Sequence, residues 1–231
     1  MTLKHVSAEE LYELLISDDV INSSGKIKLE LNSVVSKIKG IDSVGHLFEE
    51  WVYSWAKSKG IEIIPNEKTQ KFPDYYLNPN NRTEDLLEIK AFNYSNGASF
   101  DVADFFEYIE HLENMPYKLN AYYLVFAYNM NKDNGNIEIK GLWLKRIWEL
   151  VGKSKKNHIT CQIRTNNNVR RPYKIRPSSR FYRNNIFNNK VDFLIALQKL
   201  LNKNDLTKGK YENWFKKIRI SYEKFYDTKL S

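Results

Sequence analysis

Apolar positions spaced three and four apart mark helices at both ends of the chain. In "AEELYELLI", Leu11, Leu14 and Leu15 form one stripe, and Ser7-x-x-Glu10 reads as a capping box, so a helix is expected from Ala8 to about Ile16. The pattern returns in "VGHLFEEWVYSWAKSKG", where Val44, Leu47, Phe48, Trp51, Val52 and Trp55 share a face and Gly60 supplies the stop. Then the period shortens. "IEIIPN" reads as a short strand, and "FPDYYLNPNNRTEDLLEIKAF" as two strands joined by the turn-forming Asn78-Pro79-Asn80-Asn81. "DVADFFEYIEHLEN" is a helix with Val102, Phe105, Phe106 and Ile109 inward, and "NAYYLVFAYNM" is apolar enough for a buried central strand. "NIEIKGLWL" gives another strand, "KRIWELVG" a short helix, and "HITCQIRT" and "RRPYKIRP" two further strands. "VDFLIALQKLLNK" and "YENWFKKIRISYEKFY" close the chain as helices. The order predicts a mixed α/β (α+β) fold, and no linker or composition break divides residues 1–231, so a single domain is expected.

Charge changes this picture in the second half. Residues 1–139 carry 13 Lys+Arg against 22 Asp+Glu, a balance of −9; residues 140–231 carry 23 against 6, or +17, which together give the net +8. Between Lys153 and Lys190 there are 11 basic residues and no acid, and six of the nine arginines of the chain fall there. Scattered lysines are ordinary solvated surface in a chain rich in Lys and Asn. Clustered arginine among Tyr173, Phe181, Tyr182 and Phe187 instead marks a polyanion-binding module at about 153–190, followed by C-terminal helices over 190–231.

Other classes fall away. The start "MTLKHVSAEELYELL" has no apolar core of a signal peptide, and no run is long enough to span a membrane, so a cytoplasmic protein with no membrane partner is expected. The single Cys161 makes no internal disulfide and holds no structural zinc. There is no Gly-rich phosphate loop, hence no expected nucleotide cofactor. The four histidines, at 5, 46, 111 and 158, form no metal motif and read as surface or capping residues.

The candidate chemistry lies in two copies of Glu-Ile-Lys. In "LLEIKAFN" side chains alternate, so Glu88 and Lys90 share one face while Leu87, Ile89 and Ala91 face the core. Pro73-Asp74 opens the preceding strand, and pairing around the turn would put Asp74 beside Glu88. Two carboxylates at one strand end suit a hard divalent cation, usually Mg²⁺, with a lysine one pleat along to hold a water. The later copy, Glu138 and Lys140 in "NIEIKGLW", lacks a Pro-Asp strand in front of it and reads as the wet face of a strand.

Pro73-Asp74, thirteen intervening residues, then Glu88-Ile89-Lys90 resembles the PD-(D/E)xK nuclease motif, most like that of a type II restriction endonuclease. The surrounding order of helix, β-meander, helix and strand matches over a core of about 44–130. The resemblance implies a central mixed β-sheet flanked by helices, with Asp74, Glu88 and Lys90 catalytic and Mg²⁺ held by Asp74 and Glu88. It also implies a helix glutamate completing the metal site, for which Glu49 is chosen over Glu50 because Glu49 shares its border with Gly45, Val52 and Ala56. The partner would be double-stranded DNA cut at a short sequence by a homodimer. Candidate DNA contacts are Asn93, Ser95 and Asn96 in "NYSNGASF", a loop that is equally well only a turn, and Arg164, Asn166, Asn167, Arg170, Arg171, Lys174, Arg176, Arg180 and Arg183 in the basic module. A structure-specific repair or recombination nuclease of the same superfamily, or a non-catalytic nucleic-acid-binding protein, would share these features.

Overall fold

The computed structural model describes residues 3–37, 44–68, 71–131, 133–166, 168–184, 186–204 and 206–231. In chain order the elements are α1 (Ala8–Ser17), β1 (Ser24–Lys26), β2 (Lys28–Leu31), β3 (Val34–Lys37), α2 (Val44–Ser58), β4 (Ile64–Pro65), β5 (Tyr75–Tyr76), β6 (Leu86–Asn93), β7 (Ala103–Asp104), α3 (Phe105–Asn114), β8 (Tyr122–Met130) and β9 (Asn136–Arg146). They continue with α4 (Ile147–Leu150), β10 (Lys153–Ser154), β11 (His158–Ile159), β12 (Cys161–Asn166), β13 (Val169–Ile175), α5 (Lys190–Lys203) and α6 (Trp214–Tyr226). Two compact units emerge, one of residues 1–97 with 122–145 and one of 98–121 with 146–231. No helix among the described residues is long and apolar enough to cross a membrane.

The first unit is a mixed six-stranded sheet in the order β1-β9-β8-β6-β5-β4. Strands β6 and β8 run parallel, Leu87 beside Tyr122 through Asn93 beside Tyr128, and the segment between them supplies the long connection such a pair requires. β5 pairs antiparallel with β6. Helix α1 opens on the expected capping box, with the Glu10 backbone N–H donating to Ser7 Oγ at 3.1 Å and the Ser7 N–H to Glu10 Oε2 at 2.8 Å. Helix α2 buries Val44, Phe48, Val52, Trp55 and Ala56. Phe48 stacks on Phe126 of β8 at 4.7 Å, which ties this helix to the middle of the sheet. Gly60 follows in the left-handed region at φ 69°, as expected of a helix stop.

Three expectations need correction. Leu47 and Trp51, expected inward on α2, are 36% and 41% exposed, because the buried stripe is narrower than the hydrophobic pattern. Phe106 on α3 is only half-buried, and Tyr108 and Leu112 complete that helix's inner face. The charged face of β6 is buried as well: Leu86 is 1% exposed and Glu88 7%, on a strand that lies inside the sheet between β8 and β5.

The second unit joins the antiparallel hairpin β12–β13 to β7 and packs β13 against α3, while α6 packs on α3 and α5, and α5 on β11. Trp214 is fully buried, and its indole N–H donates to the Ile109 carbonyl at 2.9 Å, locking α6 onto α3. Helix α3 begins later than its sequence pattern because Asp104 caps it, accepting from the Glu107 N–H at 3.2 Å, and Ala103–Asp104 belongs to the sheet instead.

Candidate active site

Strand register builds the site. Tyr75 lies beside Leu87 and Tyr76 beside Leu86, so one residue further along the antiparallel pair brings Asp74 to Glu88. Asp74 is fixed there because its Oδ2 accepts the Ile89 backbone N–H at 2.6 Å. On the same strand, Lys90 Nζ donates to Glu88 Oε1 at 2.6 Å, both side chains largely out of water at 19% and 9% exposure. The other oxygen, Glu88 Oε2, is buried and accepts no hydrogen bond. A buried acceptor without a donor is costly. It is also the feature expected of a carboxylate awaiting a cation.

The electrostatics agree. Burial, and then the charge of Glu88, push the Asp74 carboxyl up to about 7, against the pull of Lys90 and the Ile89 N–H. Burial acts to lower the Lys90 pKa, but Glu88, Asp74 and Glu49 outweigh it and hold the ammonium above its usual value, so Lys90 is cationic. One ammonium thus faces three carboxylates, leaving a negative excess that a divalent cation would offset. Among the described residues no three His, Cys, Asp or Glu side chains gather into a ready-made cage. Two carboxylates that leave the remaining positions to water and phosphate oxygens suit Mg²⁺ better than Ca²⁺ or Zn²⁺.

Glu49 lies at the rim. Its charge is felt by Asp74, Lys90 and Tyr75, whereas that of Glu50, which is exposed, is felt by Tyr75 but not by Asp74 or Lys90. Its carboxylate meets His46 Nδ1 at 3.0 Å, one helical turn back, and its carbonyl accepts from the Tyr75 hydroxyl at 2.9 Å. The packing reason given for Glu49 is half right: Val52 and Ala56 are fully buried, but a Cβ on Gly45 would meet nothing within 4 Å. His46 was legible only as a surface residue, although its i, i+3 spacing to Glu49 is the signal for such a pair.

Below about pH 7 Asp74 is mostly protonated in the metal-free protein, so cation binding there displaces a proton. The rise in melting temperature caused by Mg²⁺ should therefore grow between about pH 5 and about pH 7 and level off above. Melting curves in a pH series check this. A rise that ignores pH would contradict it.

The second Glu-Ile-Lys holds no such company. Glu138 and Lys140 pair with each other on β9 at 46% and 30% exposure. Glu138→Ala is expected to leave DNA cleavage within about twofold and stability within about 1 kcal/mol, checked by digestion and melting.

The family model described as NgoBV restriction endonuclease matches residues 5–231. The chain belongs to that family. Among relatives of this NgoBV-family chain, the type II restriction enzyme NlaIV of Neisseria lactamica is 32% identical over 231 residues, covering 98% of this chain and 93% of that protein. The type II restriction enzyme NgoBV of Neisseria gonorrhoeae is 34% identical over 147 residues, 63% of this chain and 83% of that protein. The solved structure of NlaIV restriction endonuclease matches with a TM-score of 0.89 at 32% identity, covering 99% of this chain and 93% of the other. The expected mixed sheet flanked by helices is thus found, and with it the type II restriction endonuclease class. Enzymes of this class act on DNA and generally use a divalent metal.

The remaining candidates of this NgoBV-family chain are distributed unevenly. Asn93 caps the 3₁₀ turn Tyr94–Asn96, accepting from the Ser95 N–H at 3.0 Å. The Ser95 hydroxyl reaches Asn129 Oδ1 at 3.1 Å, and Asn96 is exposed. In the second unit, Arg176 is committed to Asp101 at 2.8 Å and to the Ser99 carbonyl, and Lys174 to Asp104 at 3.5 Å. Arg164, Arg170, Arg171, Arg180 and Arg183 are exposed. Asn166 ends β12 opposite Val169, and Asn167 lies outside the described residues. Sequence reading named Tyr173 among the aromatics of the basic module but did not pair it with Arg164, whose guanidinium lies 3.3 Å from the centre of its ring. Only their nearness across a hairpin could have suggested it.

Proposed function

We propose that the chain is a Mg²⁺-dependent endonuclease that hydrolyses double-stranded DNA at one short sequence, leaving 5′-phosphate and 3′-hydroxyl ends, with Asp74, Glu88 and Lys90 as its catalytic residues. The observation that carries this reading is the orphaned oxygen of Glu88 beside Asp74, with Lys90 on the same carboxylate. Asp74 and Glu88 would hold the cation, and Glu49 adds negative charge at the rim. Mg²⁺, when bound, lowers the pKa of a bound water and offsets charge on the scissile phosphate.

The protein's own part follows from its geometry. The Ile89 N–H keeps the Asp74 carboxylate aimed toward Glu88. Lys90 stays charged, and it orients the water that attacks phosphorus and stabilises the negative charge that develops as the bond to the 3′ oxygen breaks. Glu88 in turn anchors that ammonium at 2.6 Å, so little reorganisation is left for the reaction itself. Asn93, Ser95 and Asn96 follow the catalytic strand and are assigned to the DNA backbone, and the exposed arginines of the basic module to the duplex.

A two-fold symmetric site calls for two equivalent active sites, so the working form is assigned as a homodimer whose chains each act as one nuclease over 1–231, with no nucleotide cofactor. The test is digestion of plasmid DNA with Mg²⁺, with and without EDTA, followed by sequencing of fragment ends. Discrete fragments sharing one end sequence, lost with EDTA, are expected. Absence of cleavage, or cutting confined to branched DNA, would overturn the reading.

A further inference from the structure

Arg164 of β12 and Arg171 of β13 face each other directly across the hairpin, both exposed. Like charges directly opposite in a sheet are destabilising. No carboxylate of the described residues pairs with either of them, and the segment from Lys153 to Lys190 contains no acid. Arg176 and Lys174, two pleats nearer the body of the unit, are instead neutralised by Asp101 and Asp104. The hairpin is thus divided into a base with internal partners and an outer part where Arg164 and Arg171 have no carboxylate partner among the described residues.

The outer part is also held rigidly. Register slips between Gln162 and Ile163, which pair with Lys174 and Pro172, so that Tyr173 is the extra residue of a bulge in β13, where a proline without an N–H is tolerated within a strand. Next to the bulge, the Arg164 guanidinium carbon lies over the Tyr173 ring, 3.3 Å from its centre. Pro172 is buried behind, Ile175 is fully buried, and the Asn204 side-chain amide donates to the Arg170 carbonyl at 2.9 Å, clamping the free edge of β13. A two-stranded ribbon with strands about 4.8 Å apart fits a B-DNA major groove roughly 12 Å wide.

Phosphate contact needs only a nearby cation and gains little from a fixed plane. Reading a guanine edge needs the guanidinium fork in one orientation, which the stack on Tyr173 provides before binding. We propose that the outer half of the β12–β13 hairpin enters the DNA major groove, with Arg164 and Arg171 reading guanine edges and Tyr173 positioning Arg164. The proposal rests on the sequence-specific nuclease reading and adds which residues select the sequence.

The experiment starts from the end sequence that the wild-type enzyme leaves on bacteriophage DNA. Binding is then measured with Ca²⁺ in place of Mg²⁺, on a duplex carrying that sequence and on a scrambled duplex, for wild type and Arg164→Lys, Arg171→Lys, Tyr173→Phe and Tyr173→Ala. Each lysine variant, with its charge kept and fork lost, should lower the ratio of the two affinities by roughly 10–100-fold while binding to the scrambled duplex and its salt dependence hold. Tyr173→Phe should match wild type, and Tyr173→Ala should fall between. A ratio unchanged in the lysine variants, or a loss equal on both duplexes, overturns the assignment of the arginines. Equal behaviour of Tyr173→Phe and Tyr173→Ala overturns that of Tyr173. A wild-type enzyme that cuts with no shared end sequence overturns both this proposal and the restriction reading, whereas failure of the variants alone leaves the latter intact.

Discussion

Lys90→Ala is expected to cleave DNA roughly 10²–10⁴-fold more slowly than wild type, with DNA affinity nearly unchanged. The ammonium sits on Glu88 Oε1 and is held above its usual pKa by Glu88, Asp74 and Glu49, so it carries full charge where the phosphate must react. Its removal has a second consequence that a water-orienting role alone would not produce. Glu88, at 7% exposure, loses the ammonium that donates to it and remains as a buried, uncompensated carboxylate, a loss of about 3–5 kcal/mol in metal-free buffer. Much of that loss should return on adding Mg²⁺, because a cation held by Glu88 replaces the missing charge. Single-turnover cleavage and melting curves with and without Mg²⁺ measure both parts. Cleavage within tenfold of wild type would remove Lys90 from the chemistry.

Asp74→Asn should likewise reduce cleavage by at least about 10³-fold, yet stabilise the metal-free protein. The sign follows from linkage. Burial and Glu88 raise the folded-state pKa of Asp74 to about 7, well above its unfolded value, so the stability this shift contributes is present in acid and is lost as pH rises through about 7. Asparagine keeps an oxygen for the Ile89 N–H and never ionises. The variant should therefore melt above wild type at about pH 8, by less at about pH 5 and near it at about pH 4, and its melting temperature should respond less to Mg²⁺. A lower melting temperature at pH 8 would mean that Asp74 serves the fold rather than the cation.

Much of this site was legible because strands obey a period of two. Placing Asp74 beside Glu88 required only that "PDYY" and "LLEIK" pair around a turn, and β5 and β6 do so in that register. The buried stretch "NAYYLVFAYNM" could hardly be anything but a central strand, and it lies parallel to β6. Less legible was whatever long-range packing decides. Strands β1, β2 and β3 were missed, although Asn32 and Ser33, both at positive φ, form the two-residue turn that "LELNSVV" could have announced. Periodicity overstated the buried face of α2 by including Leu47 and Trp51. It was equally silent on residues 98–121, which lie between two strands of the first unit yet pack with the basic second half. The special standing of Arg164 depends on a bulge that no spacing rule reveals.

The most direct test is to diffuse Mn²⁺ into crystals of the protein and map its anomalous scattering. The account predicts one or two peaks between the carboxylates of Asp74 and Glu88, with Lys90 alongside, and none at Glu138. An ion bound elsewhere, with Asp74 and Glu88 bare at concentrations that support cleavage, would contradict it.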